Sequence, residues 1–143
     1  MTGSRMGRQY IEEARGLRTL VRLALELGMW AATVHKSQQC VELFLKGALR
    51  IVAVEPARTF DVAAVLRSEA IRFPEWFRPS IDALATISTQ LAGDRSLAFY
   101  GDELRELGPQ ELFDEGAARR AMRDVEFVLE CCGRLLSEVQ ADR

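Results

Sequence analysis

Two side chains two-thirds of the way along the chain are of types that could do chemistry together. Arg95 is followed five positions later by Tyr100, in "DRSLAFYGDE" at residues 94–103. A guanidinium holds phosphate through a rigid fork of donors, and a phenol donates or accepts a hydrogen bond. The pair could bind an anion, assist a proton transfer, or simply finish a helix. The single histidine, His35, is the other acid–base candidate, because imidazole titrates near neutral pH. It flanks an apolar helical stripe and reads as a polar position there.

Other chemistries find few residues to carry them. One histidine and cysteines at 40, 131 and 132 cannot make a zinc set at ordinary ligand spacing, so neither metal nor cofactor is expected. The glycines are dispersed, and no phosphate-cradling loop is present. "YGDELRELGPQELFDE" carries Asp102, Glu103, Glu106, Glu111, Asp114 and Glu115 against Arg105. Such a run can hold a hard cation, but it reads as a solvated loop with helix caps. Arg8, Arg15, Arg18 and Arg22 share one face of a helix. They could meet phosphate, and read as a solvated face.

The elements that must position these groups are helices. The chain has 143 residues, 48% hydrophobic and 28% charged, which is enough for one core and one domain over 1–143, with 1–6 and 141–143 expected to fray. Its formal charge of −2 argues against a general electrostatic grip on nucleic acid. The odd cysteine count, without CxxC spacing, points to a reducing cytoplasmic setting. No apolar run approaches the length of a membrane span, and no membrane association is expected.

Apolar residues recur every three to four positions in four long segments. The first runs from about Gly7 to Leu27, with Tyr10, Ala14, Leu17, Val21, Ala24 and Leu25 on one face, and Gly28 stops it. The second runs from about Trp30 to Val52. Its stripe is Trp30, Val34, Ser37, Val41, Phe44, Leu45, Ala48 and Val52, with Glu42 and Lys46 a favourable i,i+4 pair. A short helix at about Asp61–Glu69 is capped by Thr59 or Asp61. "IRFPEWFRPS" is a turn rich in proline and aromatics. A third long helix covers about Ser80–Tyr100, with Gly93 a place where it could bend. Pro109 starts a single turn, and Asp114 caps a last helix at about Ala117–Val139. No alternating strand pattern occurs. The expected fold is all-α: an antiparallel four-helix up-and-down bundle with an extra short helix.

The second helix, "WAATVHKSQQCVELFLKGALR", resembles the second helix of HEPN domains. Those read as an aromatic, then Ala, then a Gln-Gln-Ala-x-Glu-x-x-Leu-Lys-x-x-Leu pattern. Trp30, Ala31, Gln38, Gln39, Cys40, Glu42, Leu45, Lys46 and Leu49 occupy those positions, with Cys40 in place of the pattern's second Ala. "TFDVAAVL", the aromatic turn, "RSLAFYGDE" and the final helix after "FDEGAARRAM" follow in the family's order, so the resemblance spans about Ala14 to Val139. It implies a helical bundle that forms a homodimer. It also implies one of three roles: an RNase, often a toxin paired with a small nucleotidyltransferase antitoxin; a binder of nucleotide or RNA; or a non-catalytic partner of another protein.

RNase members resembling this chain use an arginine followed, four to six residues on, by histidine. The histidine moves the 2′-hydroxyl proton while arginine holds the phosphate. Arg95 fits the arginine, but Tyr100 stands in the histidine's place. With an ordinary pKa of about 10, a phenol has roughly a thousandfold less of its basic form at neutral pH than an imidazole. Phe60 replaces a second frequent family histidine, and the loop after Tyr100 is acidic. These departures favour a non-catalytic nucleotide-, RNA- or partner-binding protein, in which Arg95, Tyr100, Gln38, Glu42 and Lys46 carry binding. The alternative is a metal-independent endoribonuclease using Arg95 with Tyr100. A purely structural role is also open: Arg95 pairing with Glu42 or Gln38, and Tyr100 packing at the bundle's end.

Overall fold

A computed structural model describes residues 2–141, with side chains over 4–140. Met1, Asp142 and Arg143, part of the ends expected to fray, lie outside the described residues. Six helices follow in order: α1 Thr2–Glu26, α2 Trp30–Ile51, α3 Ala63–Ser68, α4 Ile81–Tyr100, α5 Pro109–Leu112 and α6 Glu115–Ala141. Among the described residues there is no strand, only an isolated antiparallel bridge between Asp102 and Leu107. No helix there is long and apolar enough to cross a membrane.

The boundaries follow local chemistry. Gly28, at φ +72°, ends α1 and lets the chain reverse into α2. α1 begins at Thr2, five residues before the expected start at Gly7. Gly7 makes that possible, because α1 and α2 approach so closely there that a Cβ on Gly7 would lie 2.7 Å from the Gly47 carbonyl oxygen. Asp61 anchors α3: its Oδ1 accepts from the Ala63 amide at 2.8 Å and its Oδ2 from the Thr89 hydroxyl at 2.9 Å. Thr59 donates instead to the Asp61 carbonyl. α4 runs unbroken through Gly93. Asp114 caps α6 by accepting from the Ala117 amide at 2.8 Å.

α2 is the centre of the bundle and packs against α1, α4 and α6, whereas α4 and α6 barely meet. Burial explains the arrangement. Val34, Val41, Phe44, Leu45, Ala48 and Leu49 of α2 are all buried, together with Ile11, Val21, Leu84, Val125, Val128 and Leu135 from its neighbours. Ile11 is fully buried although Tyr10 better fits the regular spacing; Tyr10 instead lies beneath the Arg50 guanidinium at 5.2 Å. The aromatic turn before α4 is a plug rather than a loop. Phe73 and Phe77 stack at 4.4 Å between centroids and are essentially inaccessible, with Trp76 edge-on. Each such side chain contributes about 1.5–3 kcal/mol by leaving water. The arginine face of α1 is only partly solvated, since Arg18 pairs with Glu126 of α6 at 2.6 Å.

Candidate functional site between α2 and α4

His35, Gln38, Gln39, Glu42 and Lys46 recur at three- and four-residue steps, so α2 carries a polar stripe beside its apolar one. The Glu42 carboxylate organises its lower half. Gln38 Nε2 donates to Oε1 at 2.9 Å, and Lys46 Nζ donates to Oε2 at 2.7 Å. Both carboxylate oxygens are thus engaged by the helix's own side chains, and the Gln38 amide is held in one orientation.

That orientation leaves Gln38 Oε1 without a hydrogen-bond partner among the described residues, on a side chain only 2% exposed. On α4, the buried Nε of Arg95 also lacks a partner among the described residues. Leu17, Gln38, Gln39, Glu42, Leu43 and Arg95 line one cavity of about 270 Å³. Two side chains that each carry an unpartnered buried atom therefore line one cavity. Unmade hydrogen bonds of buried groups cost roughly 1–3 kcal/mol each, so the site favours any ligand that completes both.

The structure does not pair Arg95 with Glu42 or Gln38. Its guanidinium carbon sits 4.0 Å above the centroid of the Phe60 ring, a cation–π contact. Phe60, which stands where the family pattern has a histidine, is thus the surface that steers Arg95. Tyr100 is not in this cavity. Five helical steps turn it about 140° away from Arg95. It is 63% exposed and packs edge-on against Phe99 at 4.7 Å. Lys46 does not line the cavity either and acts there through Glu42. Of the five residues read as binding groups, Arg95, Gln38 and Glu42 come together, and Tyr100 and Lys46 stand apart.

His35 is the residue the sequence reading set aside. Its ring lies 4.8 Å from that of Phe99, and both line an adjoining cavity of about 390 Å³ with Ala32, Lys36, Gln39 and Ala98. Gln39 lines both cavities, which lie side by side along α2 and α4. Burial first, then the positive charges of Arg95 and Lys36, push the His35 imidazole below its ordinary pKa. Its neutral form is favoured. The signal was present in the spacing: His35 precedes Gln38 and Gln39 by one helical turn.

The acidic loop has local uses for its side chains. Asp102 accepts from the Arg105 amide, Glu111 from the Gly108 amide, and Glu115 pairs with Arg119 at 2.6 Å. Among the described residues no three metal-ligating side chains gather. Cys40, Cys131 and Cys132 are buried thiols, with burial pushing Cys40 up to about 12.

The HEPN domain family matches this chain over residues 8–135. TT1696 from Thermus thermophilus, known from a crystal structure, superposes with a TM-score of 0.70 at 19% identity, over 90% of this chain and 97% of that one. At that identity the likeness establishes the fold alone. No curated protein matches. The family match covers both halves of the groove, the α2 stripe and Arg95 on α4, and the chain belongs to the HEPN domain family.

Proposed function

We propose that this HEPN protein binds RNA, or a nucleotide, in the groove between α2 and α4 and does not cleave it. The observation that carries the proposal is that Gln38 and Arg95, each with an unpartnered buried atom, line one cavity. Arg95 supplies the charge for a phosphate. Gln38 supplies an acceptor for a hydroxyl or base amine, and Glu42 with Lys46 holds Gln38 in register. The exposed rings of Phe60, Phe99 and Tyr100 offer faces on which bases stack, an interaction worth about 1–3 kcal/mol per base. With Tyr100 turned out of the cavity, the arginine lacks the adjacent base of the nuclease pattern. The protein is further proposed to act as a homodimer, and to be a companion of a small nucleotidyltransferase, in the cytoplasm.

Fluorescence anisotropy with a labelled single-stranded RNA tests this. Binding should weaken at least tenfold in Arg95→Ala and leave the RNA intact over hours. Equal affinity in the variant and the native chain would refute the site.

A second reading is favoured by one observation. Burial and Arg95 favour the neutral imidazole of His35, which lines the cavity adjoining that of Arg95. A metal-independent endoribonuclease would then use His35, not Tyr100, to take the 2′-hydroxyl proton while Arg95 holds the phosphate. RNA cleavage that is lost in both His35→Ala and Arg95→Ala, and retained in Tyr100→Phe, would establish this reading over the first.

A further inference from the structure

Glu42 and Arg95 line the same cavity, yet among the described residues they form no ion pair. A guanidinium and a carboxylate make one of the strongest hydrogen-bonded pairs in proteins. Arg95 rests instead on the Phe60 ring, a weaker partner, and its buried Nε stays unpartnered among the described residues. Chemistry favours the Glu42–Arg95 pair, so something must hold the two apart.

Lys46 is placed to do that. Its Nζ donates to Glu42 Oε2 at 2.7 Å, and Gln38 Nε2 donates to Oε1 at 2.9 Å. Both donors lie on α2, one helical turn to either side of Glu42. They draw the carboxylate along α2 rather than across to α4. The Lys46 and Glu42 side chains are only 13% and 19% exposed, so water screens their attraction less than at an open surface. Gln38 is the weaker of the two holds, because a neutral amide attracts a carboxylate less than an ammonium does. Lys46 itself does not line the cavity, and its ion pair among the described residues is with Glu42.

We propose that Lys46 is a positioning residue that keeps the α2–α4 cavity open by holding Glu42 off Arg95. This gate rests on the binding site proposed above and adds its control. With the lysine charge removed, Glu42 turns towards α4, pairs with Arg95, and occupies the guanidinium that a ligand needs. An anionic ligand then competes with an internal carboxylate. Lys46 thus sets the affinity for the anion through its neighbour, without touching the anion.

Two measurements on the full chain test the gate. The first needs no ligand. In nitrogen-resolved NMR spectra the Arg95 Nε–H resonance is assigned by its loss in Arg95→Lys. It should move downfield in Lys46→Gln and exchange with water at least tenfold more slowly than in the native chain, as a bond to the carboxylate forms. Adding Glu42→Gln should reverse both changes, and Lys46→Arg should show neither. The second is anisotropy with the labelled single-stranded RNA. Lys46→Gln should weaken binding at least tenfold, and the Lys46→Gln, Glu42→Gln double variant should recover most of that loss. Lys46→Gln combined with Glu13→Gln, which restores the same net charge from an exposed position on α1, should stay as weak as Lys46→Gln alone. An unchanged Arg95 resonance in Lys46→Gln would overturn the proposal. So would a double variant that binds no better than Lys46→Gln, or an equal rescue by Glu13→Gln. RNA that fails to bind the native chain refutes the proposed function instead, and the Arg95 resonance then decides the gate alone.

Discussion

The two ends of α4 use the same residue types in opposite ways. At its start, Phe73 and Phe77 are 1% and 0% exposed and stack inside the bundle. Towards its end, Phe60, Phe99 and Tyr100 are 48%, 57% and 63% exposed; Phe60 lies against Arg95, Phe99 against His35, and Tyr100 edge-on to Phe99. Aromatic rings in water contribute little to folding, because the apolar area stays hydrated. One end of the helix therefore holds the fold together, and the other keeps rings and an unpaired guanidinium at the surface, where a ligand can meet them.

Substitutions at each end should separate these roles. Phe77→Ala opens a void in a closed core and should destabilise the protein by about 3–5 kcal/mol in denaturant melts. Gly101→Ala should cost about 1–2 kcal/mol or more. Gly101 ends α4 at φ +79°, and a Cβ there would collide with the Leu107 carbonyl. Phe99→Ala should change stability by less than about 1 kcal/mol, yet weaken RNA binding several-fold; a loss of stability like that of Phe77→Ala would erase the contrast between the two ends. The smallest effect concerns pH. Burial and Arg95 depress the His35 pKa in the folded chain, so the folded state takes up its proton less readily than the unfolded one. The contribution of His35 is present above the ordinary imidazole value of about 6.5 and is lost as pH falls through the lowered folded value. His35→Gln should therefore flatten the decline of melting temperature between about pH 7 and pH 5, and a decline as steep as the native one would contradict the assigned surroundings.

Most of the bundle was readable from periodicity, because burial in a helix repeats at a fixed angle. Gly28, Pro109 and Asp114 mark turns and caps through their own backbone and side-chain chemistry, and each acts where its type implies. The early start of α1 was not readable. It depends on Gly7 meeting Gly47 across two helices, a contact that no local pattern contains. The aromatic plug was likewise hidden, since its sequence has the composition of a surface turn and only the open end of the bundle makes it core.

The candidate site was half legible. Glu42 and Lys46 show in their i,i+4 spacing, and Gln38 and Arg95 in the family pattern. Tyr100 is close to Arg95 in sequence, but five residues along a helix place it on another face. His35 was passed over because its partners, Phe99 and Arg95, come from a helix about sixty positions later, and only packing brings them near.

The central claim is that the orphan acceptor on Gln38 and the orphan donor on Arg95 await one ligand. A structure of the chain with a bound RNA dinucleotide tests it most directly. The account predicts the dinucleotide in the α2–α4 groove, with a ligand donor on Gln38 Oε1 and a phosphate or base acceptor on Arg95. A dinucleotide seated on the arginine face of α1, with the Gln38–Arg95 cavity left unfilled, would contradict it.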